Sequence, residues 1–277
     1  MTASWPAPAK LNLFLRVTGR RPDGYHTLET IFQFIDRCDR LRFEPGDTGE
    51  IRLAQSLVGV PDEKNLVVRA ARLLRETAGV RHGTTIHIEK NLPMGGGLGG
   101  GSSDAATTLM ALNSLWGCGL DTDRLATLGL ALGADVPVFV RGRAAWAEGV
   151  GEQLTPVEPP ESWYLVLVPR VTVSTAAVFA EYDRESHLTP VSPPIRIRGF
   201  HADLTQNDLE SIVRRQYPEV DNALKWLGKF GEARMTGSGG CVFLAVESAA
   251  RGEAILAEWS GEGFVARGYN RHPLLEG

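Results

Sequence analysis

Six of the seven residues from Gly95 to Gly101 are glycine. Glycine loses more backbone freedom on folding than any other residue, so such a run needs a compensating use. Its surroundings supply one. TTIHIEK (84–90), just before it, alternates apolar and polar residues as a strand does. The segment after it, opened by Ser102, sets Ala105, Leu109, Leu112 and Trp116 on one helical face. A bare backbone between a strand end and a helix start lets N–H groups approach an anion, and the helix dipole adds to the attraction. The run is therefore expected to hold phosphate. A flexible linker fits less well, because linkers carry serine, proline or charge and are rarely fused to a helix start.

Several phosphate sites are excluded by spacing. Gly95, Gly97 and Gly100 satisfy GxGxxG, but a dinucleotide fold also needs a strand after the helix, with an acid about 20 residues on. Here a second helix follows, and Asp121 and Asp123 sit at its start. A dinucleotide oxidoreductase is thus a remote alternative. The GxxxxGK[ST] pattern and the protein-kinase HRD and DFG motifs are absent.

The rest of the chain reads as α+β with two layers in each half. AKLNLFLRV (9–17) alternates and predicts a half-buried strand, with Lys10 and Asn12 on the face opposite Leu11 and Leu13. Strands are expected at 28–35, 39–44, 136–140 and 143–148. Asn65 caps a helix that stops at Gly79, and Asp121 caps one that ends at Gly133. The proline-rich PVEPPES (156–162) suggests a domain boundary, and 187–194 reads as a loop. Helices near 207–216, 218–229 and 248–259 and strands at 163–168, 241–247 and 263–269 complete the reading.

A formal charge of −4 over 277 residues removes the electrostatic argument for a nucleic-acid or anionic-membrane partner. Cys38, Cys118 and Cys241 are too scattered for a disulfide framework or a zinc site, which fits a reducing compartment. No apolar stretch reaches the roughly 18 residues of a membrane span. Lys10 and Asn12 interrupt any signal-peptide core. A cytoplasmic metabolic protein is expected.

PMGGGLGGGSSDAA (93–106) resembles the phosphate loop of the GHMP small-molecule kinases. The loop commoner in that family is shorter. The extra glycines, together with PAKLNLFLRVTGRRPDGYH (8–26), LGADVPVF (132–139) and GSGGCVF (237–243), resemble one branch, which acts on an alcohol carried by cytidine diphosphate. The resemblance implies a two-domain GHMP kinase fold. Residues 1–157 would form a ribosomal-protein-like βα domain with a left-handed crossover, and 158–277 a ferredoxin-like α/β sandwich. It also implies ATP and Mg²⁺ as cofactors and a small-molecule, CDP-linked substrate.

Asp135 lies between two apolar segments, where a carboxylate needs a partner or a use. A cap or turn role competes with catalysis; the resemblance implies a general base. Lys10 alone reads as an exposed strand lysine. The resemblance implies that it orients Asp135 and offsets phosphoryl charge, with Asn12 bonding substrate beside it. By the same resemblance Tyr25 and His26 would read cytosine by stacking and hydrogen bonding, Phe179 would form the other face, and Thr175 would line that pocket. The cofactor side would comprise Pro93, Met94, Gly95, Gly96, Gly97, Leu98, Gly99, Gly100, Gly101, Ser102 and Ser103. Lys90 and Asn65 would flank the nucleotide base, although capping explains Asn65 equally well. A hydroxyl of Ser102 or Ser103, or the adjoining Asp104, could serve phosphate or Mg²⁺, or merely cap. GSGG (237–240) reads either as a second wall of the site or as a tight turn. Another GHMP kinase, of homoserine or mevalonate type, is the nearest alternative; RPDGYH speaks against it, since a base-reading pair is useless to such substrates. A non-catalytic nucleotide-binding module is the alternative from another class.

Overall fold

A computed structural model describes residues 3–46, 49–186 and 204–275, so the loop expected at 187–194 lies outside the described residues. The chain opens with two long antiparallel strands, β1 (Trp5–Arg20) and β2 (His26–Gly46), then β3 (Ile51–Leu53), α1 (Leu66–Ala78) and β4 (Gly83–Glu89). Three helices follow, α2 (Gly100–Leu115), α3 (Thr122–Leu130) and α4 (Val136–Arg141), and the hairpin β5 (Ala145–Glu148) and β6 (Gln153–Pro156). The second half contains β7 (Trp163–Val168), α5 (Thr175–Ser186), α6 (Glu210–Gln216), α7 (Pro218–Leu227), β8 (Arg234–Met235), β9 (Val242–Val246), α8 (Ala249–Leu256) and β10 (Glu262–Tyr269).

The strands join into one sheet with the path β3-β4-β2-β10-β7-β9-β8. The link between the halves is β10, which pairs Gly268 with Ile35 and Tyr269 with Phe34 on β2. Leu74, Ile86, Leu109, Leu112 and Phe139 fill the core beneath the first four helices. Leu165, Leu167, Ile212, Val213, Leu224 and Leu227 fill another beneath α6 and α7. Each such side chain contributes about 1.5–3 kcal/mol when fully buried.

Four expectations are corrected. The apolar run 136–140 is helix, not strand: Pro137 is tolerated in a first helical turn, and Gly142 stops the helix at φ 65°. All five residues of the run are buried, so periodicity could not separate the two states. Segments 28–35 and 39–44 form a single strand, interrupted by a register shift opposite Pro8 and Ala9 that leaves Asp36 and Arg37 exposed. Strand β1 is buried on both faces from Ala7 to Val17 rather than half-buried, because the Lys10 face is closed by protein. Helix α2 starts at Gly100, with Gly99 as its cap, before the expected Ser102.

Candidate active site

The glycine loop is a rigid object. Gly95, Gly97 and Gly99 have φ of 71°, 76° and 72°, a region where L side chains are strained. Space forbids side chains as well. A Cβ on Gly97 would lie 2.3 Å from the Thr236 carbonyl oxygen, and one on Gly240 would lie 2.7 Å from the Gly95 oxygen. The loop and GSGG therefore pack backbone to backbone, and the Cys241 N–H donates to the Gly96 carbonyl at 3.0 Å. GSGG is both things the sequence allowed: the Gly239 N–H closes a turn on the Thr236 carbonyl at 3.1 Å, and Gly237 and Ser238 wall the same cavity as the loop. Gly100, Gly101 and Ser102 begin α2, so their N–H groups lack helical acceptors and offer an anion site.

Lys10 and Asp135 meet beside this loop. The Lys10 ammonium is 3 % exposed, so the exposed-lysine alternative falls away. Its Nζ donates to the Asn12 Oδ1, donates to the Gly97 carbonyl at 2.9 Å, and stands 3.3 Å from Asp135 Oδ2. Of its three N–H donors, two are engaged by Asn12 and Gly97, while Asp135 faces the ammonium as an ion-pair partner. Asn12 is itself fixed: its Nδ2 donates to Thr30 Oγ1 and its backbone N–H to Thr236 Oγ1, both at 2.9 Å. Asp135 occupies the N-cap position of α4, yet its side chain makes no capping bond and is one-third exposed. Its carboxylate faces Lys10 instead.

Below the loop, the Lys90 ammonium bridges two buried carboxylates, Asp39 and Asp104, the latter at 2.9 Å. Asp39 also accepts from the N–H groups of Asn91 at 2.6 Å and Leu92 at 2.8 Å. Burial is the largest influence on Asp104 and, against the pull of Lys90, lifts its carboxyl to about 7. Asn65 caps α1 by accepting from the Val67 N–H at 3.0 Å. Its side chain, Lys90 and Asp104 all border the cavity.

At the other end of the cavity, the turn 20–25 is closed by the Arg21 N–H on the Tyr25 carbonyl at 2.7 Å and by Gly24 at φ 90°. It leaves Tyr25 66 % exposed. His26 begins β2 and stacks on Phe179 of α5, ring centroids 4.6 Å apart. Thr175, one turn earlier on the same helix, shares a hydrogen bond with Ser238 at 2.6 Å. Helix α5 carries no expectation from the sequence, and Asp39, Thr236 and Asp183 were not foreseen as site neighbours. Their only signal is tertiary, since each acts on a residue distant in the chain.

All of these elements border one cavity of about 1040 Å³, from Asn65 and Lys64 through the loop to Lys10, Asp135, His26 and Phe179. That is room for two small ligands end to end. Among the described residues no group of three His, Cys, Asp or Glu side chains is placed to hold a metal. Among them, too, no helix is long and apolar enough to cross a membrane.

A glycine-cradled anion site beside a lysine–carboxylate pair, in a fold of this topology, defines a small-molecule kinase. The family model for the GHMP kinases N terminal domain matches residues 65–143, and that for the GHMP kinases C terminal matches 195–265. The 4-diphosphocytidyl-2-C-methyl-D-erythritol kinase of Pseudomonas syringae pv. syringae is 58% identical over 96% of this chain and 93% of its own. That of Shewanella denitrificans is 54% identical over 100% of this chain and 97% of its own. A crystal structure of 4-(cytidine 5'-diphospho)-2C-methyl-D-erythritol kinase superposes with TM-score 0.81 at 36% identity, covering 96% of this chain and 99% of that one. The Methanococcus jannaschii mevalonate kinase shares the fold, with TM-score 0.66 at 18% identity over 98% of this chain and 99% of that one. The chain belongs to the GHMP kinases and, within them, to the family of 4-diphosphocytidyl-2-C-methyl-D-erythritol kinases.

Proposed function

We propose that the protein transfers the γ-phosphoryl group of ATP to the 2-hydroxyl of 4-diphosphocytidyl-2-C-methyl-D-erythritol, in the non-mevalonate route to isoprenoid precursors. The observation that carries this reading is the 3.3 Å approach of Lys10 to Asp135 while the same ammonium holds the Gly97 carbonyl of the loop. It supports reading Asp135 as the base and Lys10 as the cation beside phosphates held on the loop.

In this reading the ATP phosphates lie on the backbone donors of residues 97–102, and residues 1–157 supply the loop and the reacting pair. Residues 158–277 complete the substrate side through Thr175 and Phe179. The substrate hydroxyl gives its proton to Asp135 as its oxygen attacks the γ-phosphorus. The bond from that phosphorus to the β–γ bridging oxygen breaks, and ADP leaves. Lys10 offsets charge on the transferring group and keeps Asp135 aimed, and Asn12 keeps Lys10 in place. Mg²⁺ takes one or two protein oxygens and otherwise phosphate and water. The residues at the helix start fit that need: Ser102 borders the cavity in the first turn of α2, beside the backbone donors assigned to the phosphates. Bound there, the ion would supply charge neutralisation at the β- and γ-phosphates. Tyr25 and His26 with Phe179 hold the cytosine.

The test is a product analysis. With ATP and the CDP-linked alcohol, phosphorus NMR should show one new phosphomonoester, on the 2-hydroxyl, formed in step with ADP. ADP release without a phosphomonoester, or an ester at another position, would overturn the reading.

A further inference from the structure

His26 is held on three sides. Its Nε2 lies 2.6 Å from Asp183 Oδ1, its ring stacks on Phe179, and its edge meets Tyr182 at 6.2 Å. Phe179, Tyr182 and Asp183 follow one another at helical spacing on α5, so a single face of that helix fixes the imidazole. The carboxylate is fixed in turn: Arg20 Nη1 reaches Asp183 Oδ2 at 3.2 Å from the far side of the 20–25 turn. His26 and Asp183 are mostly buried, with side chains 9 % and 23 % exposed, so this is not a surface pair free to exchange partners.

A carboxylate oxygen can only accept, so the proton of a neutral imidazole belongs on Nε2. That leaves Nδ1 a bare acceptor. Among the described residues Nδ1 has no hydrogen-bond partner, and His26 borders the cavity. A bare ring nitrogen takes a hydrogen bond from the exocyclic amino group of cytosine. The same nitrogen repels the carbonyl oxygen that uracil carries at that ring position.

The geometry points to Asp183 as a positioning residue for base selection: it sets the tautomer of His26, and through it makes the pocket prefer an amino-bearing pyrimidine over its carbonyl counterpart. This rests on the cytidine reading above, but the carboxylate–imidazole contact that carries it does not.

Two measurements test it. Long-range proton–nitrogen NMR of the histidine-labelled protein should show His26 protonated on Nε2 and not on Nδ1, and Asp183→Ala should turn that signal into a mixture. In kinetics, Asp183→Ala should lower the preference for the CDP-linked alcohol over its UDP-linked analogue about tenfold, the cost of one mispaired polar contact. The change should fall on KM rather than kcat. Asp183→Asn, whose amide oxygen can still accept from Nε2, should restore most of the preference. A wild-type His26 protonated on Nδ1, or a base preference unchanged in Asp183→Ala, would overturn the assignment while leaving the cytidine reading intact. A wild type with no base preference would overturn both. The NMR result then reports separately whether Asp183 sets the tautomer.

Discussion

Lys10 Nζ and Asp135 Oδ2 stand 3.3 Å apart, one carried by the first strand and the other by the N-terminus of a short helix in mid-chain. The meeting point is enforced from both sides. Asn12 and Gly97 fix the ammonium, and the stop of α3 and start of α4 present the carboxylate. A charge pair so held needs little reorganisation when a phosphoryl group develops charge beside it.

Removing the proposed base while keeping its shape isolates its role. Asp135→Asn should lower kcat by roughly 10²–10⁴, the range for a general base, with ATP affinity little changed. Lys10→Met should lose a comparable factor through lost charge stabilisation. Single-turnover rates with a separate nucleotide titration check both. Retention of more than about a tenth of the rate in both variants would remove the pair from the chemistry.

Gly99 couples the loop to that pair. A Cβ there would sit 3.0 Å from Lys10 Cε and 3.0 Å from Phe139 Cζ, at φ 72°. Gly99→Ala should therefore cost about 1–2 kcal/mol of stability from backbone strain and, beyond that, displace Lys10. Gly117→Ala carries a similar φ of 63° with nothing within 4 Å, so it shares the strain without touching the site. Turnover of the folded proteins should fall at least about tenfold for Gly99→Ala, from the displaced charge, and stay near wild type for Gly117→Ala. Equal turnover in the two would show that the loop does not position Lys10.

Beneath the loop, Lys90 holds two buried carboxylates. Lys90→Met should cost about 3–5 kcal/mol, because it leaves those charges unpaired. Asp104→Asn should cost far less: burial holds that carboxyl up at about 7, so at pH 8 its ionised form carries a desolvation cost that the amide sheds. Urea unfolding at pH 8 separates the two. A milder effect for Lys90→Met than for Asp104→Asn would mean that the triad does not support the loop.

Much of this was legible in residue order because it is local. The strand–glycine–helix junction announces the anion site, Asn65 and Gly79 bracket α1, and Asp121 caps α3 by accepting from the Arg124 N–H. The 136–140 helix was not, since five buried apolar residues carry no period. Nor was the double burial of β1: alternation shows two unlike faces but not that the polar one is closed by Thr236 and the loop. Asp39 and Asp183 look like ordinary surface acids until the fold sets Lys90 and His26 against them. Within the site, the motif resemblance picked out the Lys10–Asp135 pair, but the sequence by itself could not say that Asn12 accepts a hydrogen bond from Lys10.

His272 offers a stability test remote from the site. Its Nδ1 accepts from the Leu274 N–H at 3.1 Å, its ring meets Phe34 edge-on, and burial holds its pKa down to about 4. The folded state thus keeps it neutral while the unfolded chain protonates near 6.5. Its contribution is fully present above pH 6.5 and is lost as pH falls toward 4, by up to about 3 kcal/mol. His272→Phe should flatten the slope of unfolding free energy between those limits. An unchanged slope would mean that other groups carry it.

The most direct measurement is the ratio of kcat/KM for the CDP-linked alcohol to that for the same alcohol without its nucleotide, with ATP as donor. Lys10 and Asp135 lie at one end of the cavity and Tyr25, His26 and Phe179 at the other, so in the proposed reading the substrate is oriented through its base. Stacking alone is worth on the order of 1–3 kcal/mol, so the ratio should exceed about 10² once hydrogen bonding is added. Tyr25→Ala should lower it by roughly 5–150-fold, the equivalent of that stacking energy. A ratio near one in the wild type would contradict the account, leaving a GHMP kinase whose acceptor is chosen by something other than cytidine.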